Sequence, residues 1–306
     1  MQELNLRYFQ SVARTGSLSA AAQELHVAVS AVSRQIANLE QRLGLTLFVR
    51  KPRGMALTEA GELLQAYALR NRLELESVIE QMREATTREI STVTIACPDG
   101  MAWHFLPSAI AHFIQDHPEV GFDLRVVESA RASELVKQGE ADIALTFSLS
   151  VDIGVKVLSS HRAAIGALMA RGHPLAAKPA LEMRDLIEYP LVLSSPGSTV
   201  RHLIDVACSL SGVKLVPSIA CNTMGVTHAT VRAHPFMVGL CSAIAVSGRV
   251  ASDGLLHLPF KEPQLGQRSL QVQVMADRHL PDHIASFLEF LEQRLLEASP
   301  NAASRT

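Results

Sequence analysis

Residues 17–53 read SLSAAAQELHVAVSAVSRQIANLEQRLGLTLFVRKPR: two short helices, a tight connection and a basic hairpin. In the second helix Val32, Ile36, Leu39 and Leu43 recur at spacings of four, three and four, so they form one apolar stripe turned toward the protein. Ser30, Arg34, Asn38 and Gln41 project the opposite way, with Ala31, Ser33 and Ala37 on the flanks. A face of short and polar side chains is slim enough for a DNA major groove and carries donors that base edges and phosphates accept. The helix before it supports this arrangement. Ser17 and Ser19 offer caps, Ala20, Ala21, Ala22 and Leu25 permit close approach, and His26-Val27-Ala28 makes the turn. From His26 to Arg53 the cations are Arg34, Arg42, Arg50, Lys51 and Arg53, against Glu40 alone, an excess of four in a chain of net charge −2. Cations thus gather where phosphates would lie. An amphipathic helix pair with a merely solvated polar face shares the periodicity, so context must decide.

That context is a resemblance. LRYFQSVARTGSLSAAAQEL, AVSRQIANLEQRLGLTLFVR and the LTEAG of residues 57–61 resemble the amino-terminal domain of LysR-type transcriptional regulators over its whole length. The resemblance implies a winged helix-turn-helix that binds double-stranded DNA at an inverted-repeat operator. It puts Ser33 and Arg34 on DNA-contacting positions of the recognition helix, beside Ser30, Ala31 and Asn38 of the face read above, and Arg50 and Arg53 on a wing that meets the backbone or minor groove. One departure is Val29, where many relatives carry Gln. The resemblance further implies a homodimer, with a homotetramer as the higher assembly, and RNA polymerase as a further partner.

Around this stretch, Leu6, Phe9, Val12 and Ala13 form one face of a first helix, about residues 4–15, that Gly16 ends. Gly44 stops the recognition helix, and residues 47–50 and 55–57 flank the turn Lys51-Pro52-Arg53-Gly54. Thr58 caps a long helix running to about residue 88, with Glu59 and Glu62 at its positive end. Leu64, Ala68, Asn71, Leu75, Val78 and Met82 follow heptad spacing with one polar member, which predicts a dimerisation seam.

From about Ser91 strands and helices alternate, which predicts a parallel sheet. Strands are expected at 93–97, 122–128 and 142–147, with helices near 105–116 and 132–139. A second series has strands at 163–170, 190–195, 216–222 and 236–242, with helices near 199–211 and 223–233. The strand 269–276 and the helix from Asp282 to about residue 297 return to the first series, giving two lobes with two crossings. The looser resemblance here is to the type 2 periplasmic-binding-protein fold of LysR effector domains. The organisation expected is therefore multidomain α+β: a winged helix-turn-helix at 1–58, a linker helix at 59–90 and an effector domain at 91–306. Its first lobe spans about 91–161 and 268–298, its second about 162–267.

In such lobes ligands sit beyond the carboxyl ends of strands, where loops open helices. Four loops qualify: Asp99-Gly100-Met101, Ser148, the segment Ser194 to Thr199 with Ser195, Ser198 and Thr199, and Asn222-Thr223. The third is the richest, because small hydroxyl residues and a glycine expose backbone N–H groups to an anion, with Arg201 nearby. A small organic anion is the expected effector, although simple helix capping would use the same residues. Where relatives carry two glycines at the pocket floor, this chain has Val231 to Met237 with His234 and Pro235. Trp103 and His104 are candidates for the cleft or for packing at its rim.

Composition agrees with folded domains: 306 residues, 48% hydrophobic and 19% charged. The amino terminus has no export-signal pattern and the longest uncharged apolar run is too short to span a bilayer, so a cytoplasmic protein without membrane contact is expected. Cys97, Cys208, Cys221 and Cys241 lack C-x-x-C spacing, and the histidines lack H-x-x-x-H spacing. No metal or cofactor is implied. An enzyme on an α/β scaffold is the competing reading, but the chain has no G-x-S-x-G elbow, Walker loop or G-x-G-x-x-G. A DNA-binding protein without a ligand would leave the two-lobed segment unused.

Overall fold

A computed structural model describes residues 2–52, 54–84, 90–147 and 154–298. The chain divides into two compact units near residue 82.

The first unit contains α1 (Gln2–Thr15), α2 (Leu18–Glu24), α3 (Val29–Leu43), β1 (Phe48–Lys51), β2 (Gly54–Leu57) and α4 (Glu59–Glu84). Its core is Phe9, Val12, Ala21, Ala22, Val32, Ile36, Leu39, Leu47 and Phe48. Three of the four expected stripe residues of α3 are therefore buried. Leu43 is exposed, because it stands in the last turn, which Gly44 ends in the left-handed conformation. Two glycines permit close approach of the hairpin. Gly16 has a φ of +65°, and its carbonyl accepts from the Met55 N–H at 2.7 Å. Gly54 has a φ of +127°, and a Cβ there would lie 2.3 Å from the same carbonyl. The LTEAG segment fastens α4: Thr58 Oγ1 donates to the Thr46 carbonyl at 2.7 Å and accepts from the Gly61 N–H at 3.1 Å. A Cβ on Gly61 would meet the Leu47 carbonyl oxygen at 2.2 Å.

The second unit contains β3 (Ser91–Cys97), α5 (Asp99–Ala102), α6 (Phe105–Asp116), β4 (Val120–Val126), α7 (Ser129–Lys137), β5 (Ile143–Thr146) and β6 (Val155–Arg162). Beyond these lie β7 (Ile165–Ala170), β8 (Leu191–Ser194), α8 (Thr199–Leu210), β9 (Ile219–Cys221), α9 (Met224–Ala233), β10 (Val238–Ser242), α10 (Ala243–Val246) and β11 (Leu255–Pro259). Then come β12 (Ser269–Met275) and α11 (Asp282–Ala298). Two five-stranded sheets result, ordered β4-β3-β5-β12-β6 and β11-β7-β10-β8-β9. The chain crosses between them after Arg162 and before Ser269.

Both sheets are mixed, which corrects the expected parallel sheet. β3 pairs in parallel with β4 and β5, but β12 runs antiparallel to β5 and β6 because it re-enters from the other lobe. In the second sheet β8 is parallel to β9 and β10, and β7 is antiparallel to β10 and β11. Strands β6 and β11 are not marked by the sequence pattern, and α7 starts at Ser129, earlier than periodicity suggests. Phe113, Phe122, Phe287 and Phe290 interlock in the first lobe, with ring centroids 4.8–6.0 Å apart. Burying each aromatic ring removes about 150–250 Å² of surface from water, which ties α6 and α11 to the sheet. Among the described residues no helix is long and apolar enough to cross a membrane.

Candidate functional site

The polar face of α3 is open. Ser30, Ser33, Arg34 and Asn38 are exposed and Ala31 is half-buried. Arg50 is exposed on β1, while Arg53 lies outside the described residues. The amino end of α3 has no side-chain cap, so its first N–H groups stay available to an anion. Glu40 is the only acid of this basic stretch, and its carboxylate is turned inward. One Oε1 accepts from the Leu47 N–H at 2.7 Å and the Phe48 N–H at 3.2 Å. The acid therefore anchors the hairpin and leaves the outer face to the cations.

On α4 the structure shifts the start of the expected seam. Leu64 is half-buried against the core of the first unit, and Ala68 is only 3% exposed, so the expected seam is fully open to solvent only from Asn71 onward. The docking of Gly61 on Leu47 turns these two inward. The large exposed apolar side chains of α4 are Leu63, Tyr67, Leu75, Val78, Ile79 and Met82, with Asn71 also exposed among them.

In the second unit a cavity of about 460 Å³ opens between the lobes. Asp99, Gly100, Ser198, Thr199, Asn222 and Thr223, from three of the four loops named above, line it. Ser148 lies outside the described residues. Two residues are corrected. Met101 is 0% exposed and belongs to the core of the first lobe, because the short α5 turns it inward. Ser195 is not on the wall; its N–H is held by the Cys221 carbonyl. Arg201 also points elsewhere, with Nε on Asp205 at 2.8 Å and Nη1 on the Ser194 carbonyl. The segment with His234 and Pro235 is exposed at the end of α9 and does not form the pocket floor. Trp103 packs instead on the second lobe, 4.5 Å from the His228 ring.

Asp99 is committed across the cleft. Its Oδ2 accepts from the Met224 N–H and its Oδ1 from the Thr223 hydroxyl, so a carboxylate of the first lobe caps α9 of the second. The amino end of α8 has a different cap: Ser198 Oγ accepts from the Arg201 N–H at 3.1 Å. Sequence reading missed Arg268, Phe147, Ser242, Cys221 and Cys241 on the same wall. Burial pushes the Cys241 thiol up to about 12, the opposite of a reactive thiolate. Among the described residues no group of His, Cys, Asp and Glu could hold a metal ion.

The bacterial regulatory helix-turn-helix model of the lysR family matches residues 4–62, and the LysR substrate binding domain model matches residues 87–296. The chain belongs to the LysR family of transcriptional regulators. This LysR-type regulator is 34% identical over 215 residues to the transcriptional dual regulator GltC of Bacillus subtilis, covering 69% of this chain and 71% of that one. Its fold is similar to a full-length OxyR variant from Pseudomonas aeruginosa, with a TM-score of 0.59 at 18% identity, covering 97% of this chain and 94% of that one. It also resembles full-length CbnR complexed with its target DNA, with a TM-score of 0.53 at 18% identity and coverage of 96% and 100%. Like its family, this LysR-type protein is a DNA-binding regulator and not an enzyme.

Proposed function

We propose that this regulator binds an inverted-repeat operator as a homodimer or higher homo-oligomer, and that a small organic anion in the interlobe cavity modulates the response. Residues 1–58 act as the DNA reader, 59–90 as the dimerising linker and 91–306 as the effector domain, working in the cytoplasm where the operator lies. Ser30, Ala31, Ser33, Arg34 and Asn38 enter a major groove, while Arg50 and Arg53 meet the backbone or minor groove. The outward polar face of α3, cleared of its one acid by the inward turn of Glu40, carries this reading. The CbnR complex with target DNA supports it by fold. The exposed residues Leu75, Val78 and Met82 are the proposed dimer contact.

The test is selection of duplexes from a random pool by the full chain, followed by footprinting. An inverted repeat with half-sites about one helical turn, roughly 10 bp, apart is expected. A selected site without two-fold symmetry would overturn the dimeric reading. Glutamate at both Leu75 and Val78 should convert the protein to a form that protects half-sites only weakly and sediments as a monomer.

A further inference from the structure

The cavity wall carries a charge that no carboxylate among the described residues answers. Arg268 is only 6% exposed, and its guanidinium carbon lies 3.6 Å from the centre of the Phe147 ring. Its Nε–H has no hydrogen-bond partner among the described residues. Nη2, on the same edge of the guanidinium, reaches only the Thr199 Oγ1 at 3.5 Å, at the first residue of α8. Among the described residues no carboxylate forms an ion pair with it, since Asp99 is occupied by α9 and Glu128 is exposed at the rim. Burial draws the Arg268 pKa down to about 9. A guanidinium does not release its proton in a protein, so the depression reflects the cost of holding a cation away from water. A second group on this wall is unsatisfied: the Ser242 hydroxyl is buried and has no partner among the described residues.

An unpaired buried cation and an unpaired buried hydroxyl are expensive unless a ligand completes them. The geometry points to a monocarboxylate with an apolar body as the ligand of this cavity, its carboxylate held by Arg268, Ser242 and the amino end of α8. This rests on the reading of the cavity as an effector site and narrows the chemistry of what it takes. The Nε and Nη2 hydrogens of one guanidinium edge are parallel and match the two oxygens of a planar carboxylate. One buried cation balances one negative charge. A phosphate or a dicarboxylate would bring a second charge toward the carboxylates of Asp99 and Glu128. The apolar remainder has Val200, Met224 and Leu240 to lie against.

The experiment uses the full-length chain, the variants Arg268→Gln, Arg268→Lys and Arg268→Met, and a Ser198→Ala, Thr199→Ala double variant. Hexanoate and phenylacetate are titrated by calorimetry beside their neutral amides, hexanamide and phenylacetamide, and beside adipate and inorganic phosphate. At least one monocarboxylate should bind wild type tenfold or more tightly than its amide, adipate or phosphate. Arg268→Gln should lose tenfold or more of that affinity, and Arg268→Lys should recover part of it. Without any ligand, Arg268→Met should melt at or above the wild-type temperature, because it keeps the packing on Phe147 and removes an unanswered charge. A fall of several degrees would show that the cation is paired within the fold, and would overturn the inference. Amides or adipate that bind wild type and Arg268→Gln alike, and weaken when Ser198 and Thr199 become Ala, would leave the effector cavity standing and remove the carboxylate. If no probe binds wild type, the effector reading and the carboxylate both fall.

Discussion

The two units present their cations in opposite ways. In the first, Arg34, Arg42, Arg50 and Lys51 stand in water and the one acid among them is folded inward onto the hairpin. In the second, one cation is stripped of water on a cavity wall while the cleft carboxylate is tied to α9. DNA presents a charge roughly every 1.7 Å along its axis, so many weak, screened contacts add up through release of counterions. A small ligand offers one or two charges and must be gripped where the dielectric is low and each contact is strong. On the proposed function, the same residue type would serve a polymer from the surface and a small molecule from the interior.

Salt is the strongest way to break this contrast. Between 50 and 200 mM salt, operator affinity of the dimer should fall by about a thousandfold or more, as expected for six or more phosphate contacts. Affinity for a cavity ligand should change less than tenfold over the same range, because buried charges are poorly screened. Equal sensitivities would mean that Arg268 is reached by solvent. Locality is tested next by Gly54→Val. A Cβ forced 2.3 Å from the Gly16 carbonyl at a φ of +127° should destabilise the first unit by about 3 kcal/mol, from strain and overlap together. Calorimetric melting of the full chain should show this loss, with ligand binding in the second unit intact.

Arg34→Ala should cost about 2 kcal/mol of specific operator binding without lowering the melting temperature, as measured by gel shift and melting. Arg50→Ala should weaken all sequences alike and lower the salt slope by about 0.9 per contact. Glu40→Ala should cost about 1.5 kcal/mol of stability, because two amides lose a charged acceptor.

Acid is the gentlest probe. Burial lowers the pKa of His104, His173, His228 and His257 below 6.5. The unfolded chain then binds more protons than the folded one as pH falls through 6.5, so stability is full above that value and declines below it, toward the lower folded values. The second-unit melting temperature should therefore be lower at pH 5.5 than at pH 7.5. No change would show that these imidazoles protonate freely in the fold.

What can be read from the chain is what repeats within a few residues. The α3 stripe is visible because Val32, Ile36 and Leu39 share one face of one helix, and the first-lobe strands because their apolar runs lie between turn residues. The register of α4 is not visible. Leu64 and Ala68 fit heptad spacing as well as Leu63 and Tyr67 do, and only the seating of Gly61 on Leu47 separates them. β6 escapes notice because Leu158 is followed by Ser159 and Ser160, which blurs the alternation of an edge strand. Asp99 can be placed in a loop, but its duty as a cap on a helix of the opposite lobe is a long-range fact. Arg268 sits in a crossing segment with no period. Its meaning comes from Phe147 and Thr199, which the fold, not the chain, makes its neighbours.

The inward turn of Glu40 has a mechanical consequence. By holding the Leu47 and Phe48 amides, it welds the recognition helix to the first strand of the wing, and Gly16 and Gly54 close the other side of the joint. Helix and hairpin are thereby tied together on both sides. On the proposed function, an operator that does not fit this joint would have to meet it by bending or by narrowing its own groove. Flexible pyrimidine–purine steps at positions the protein never touches would then help decide which sites are held.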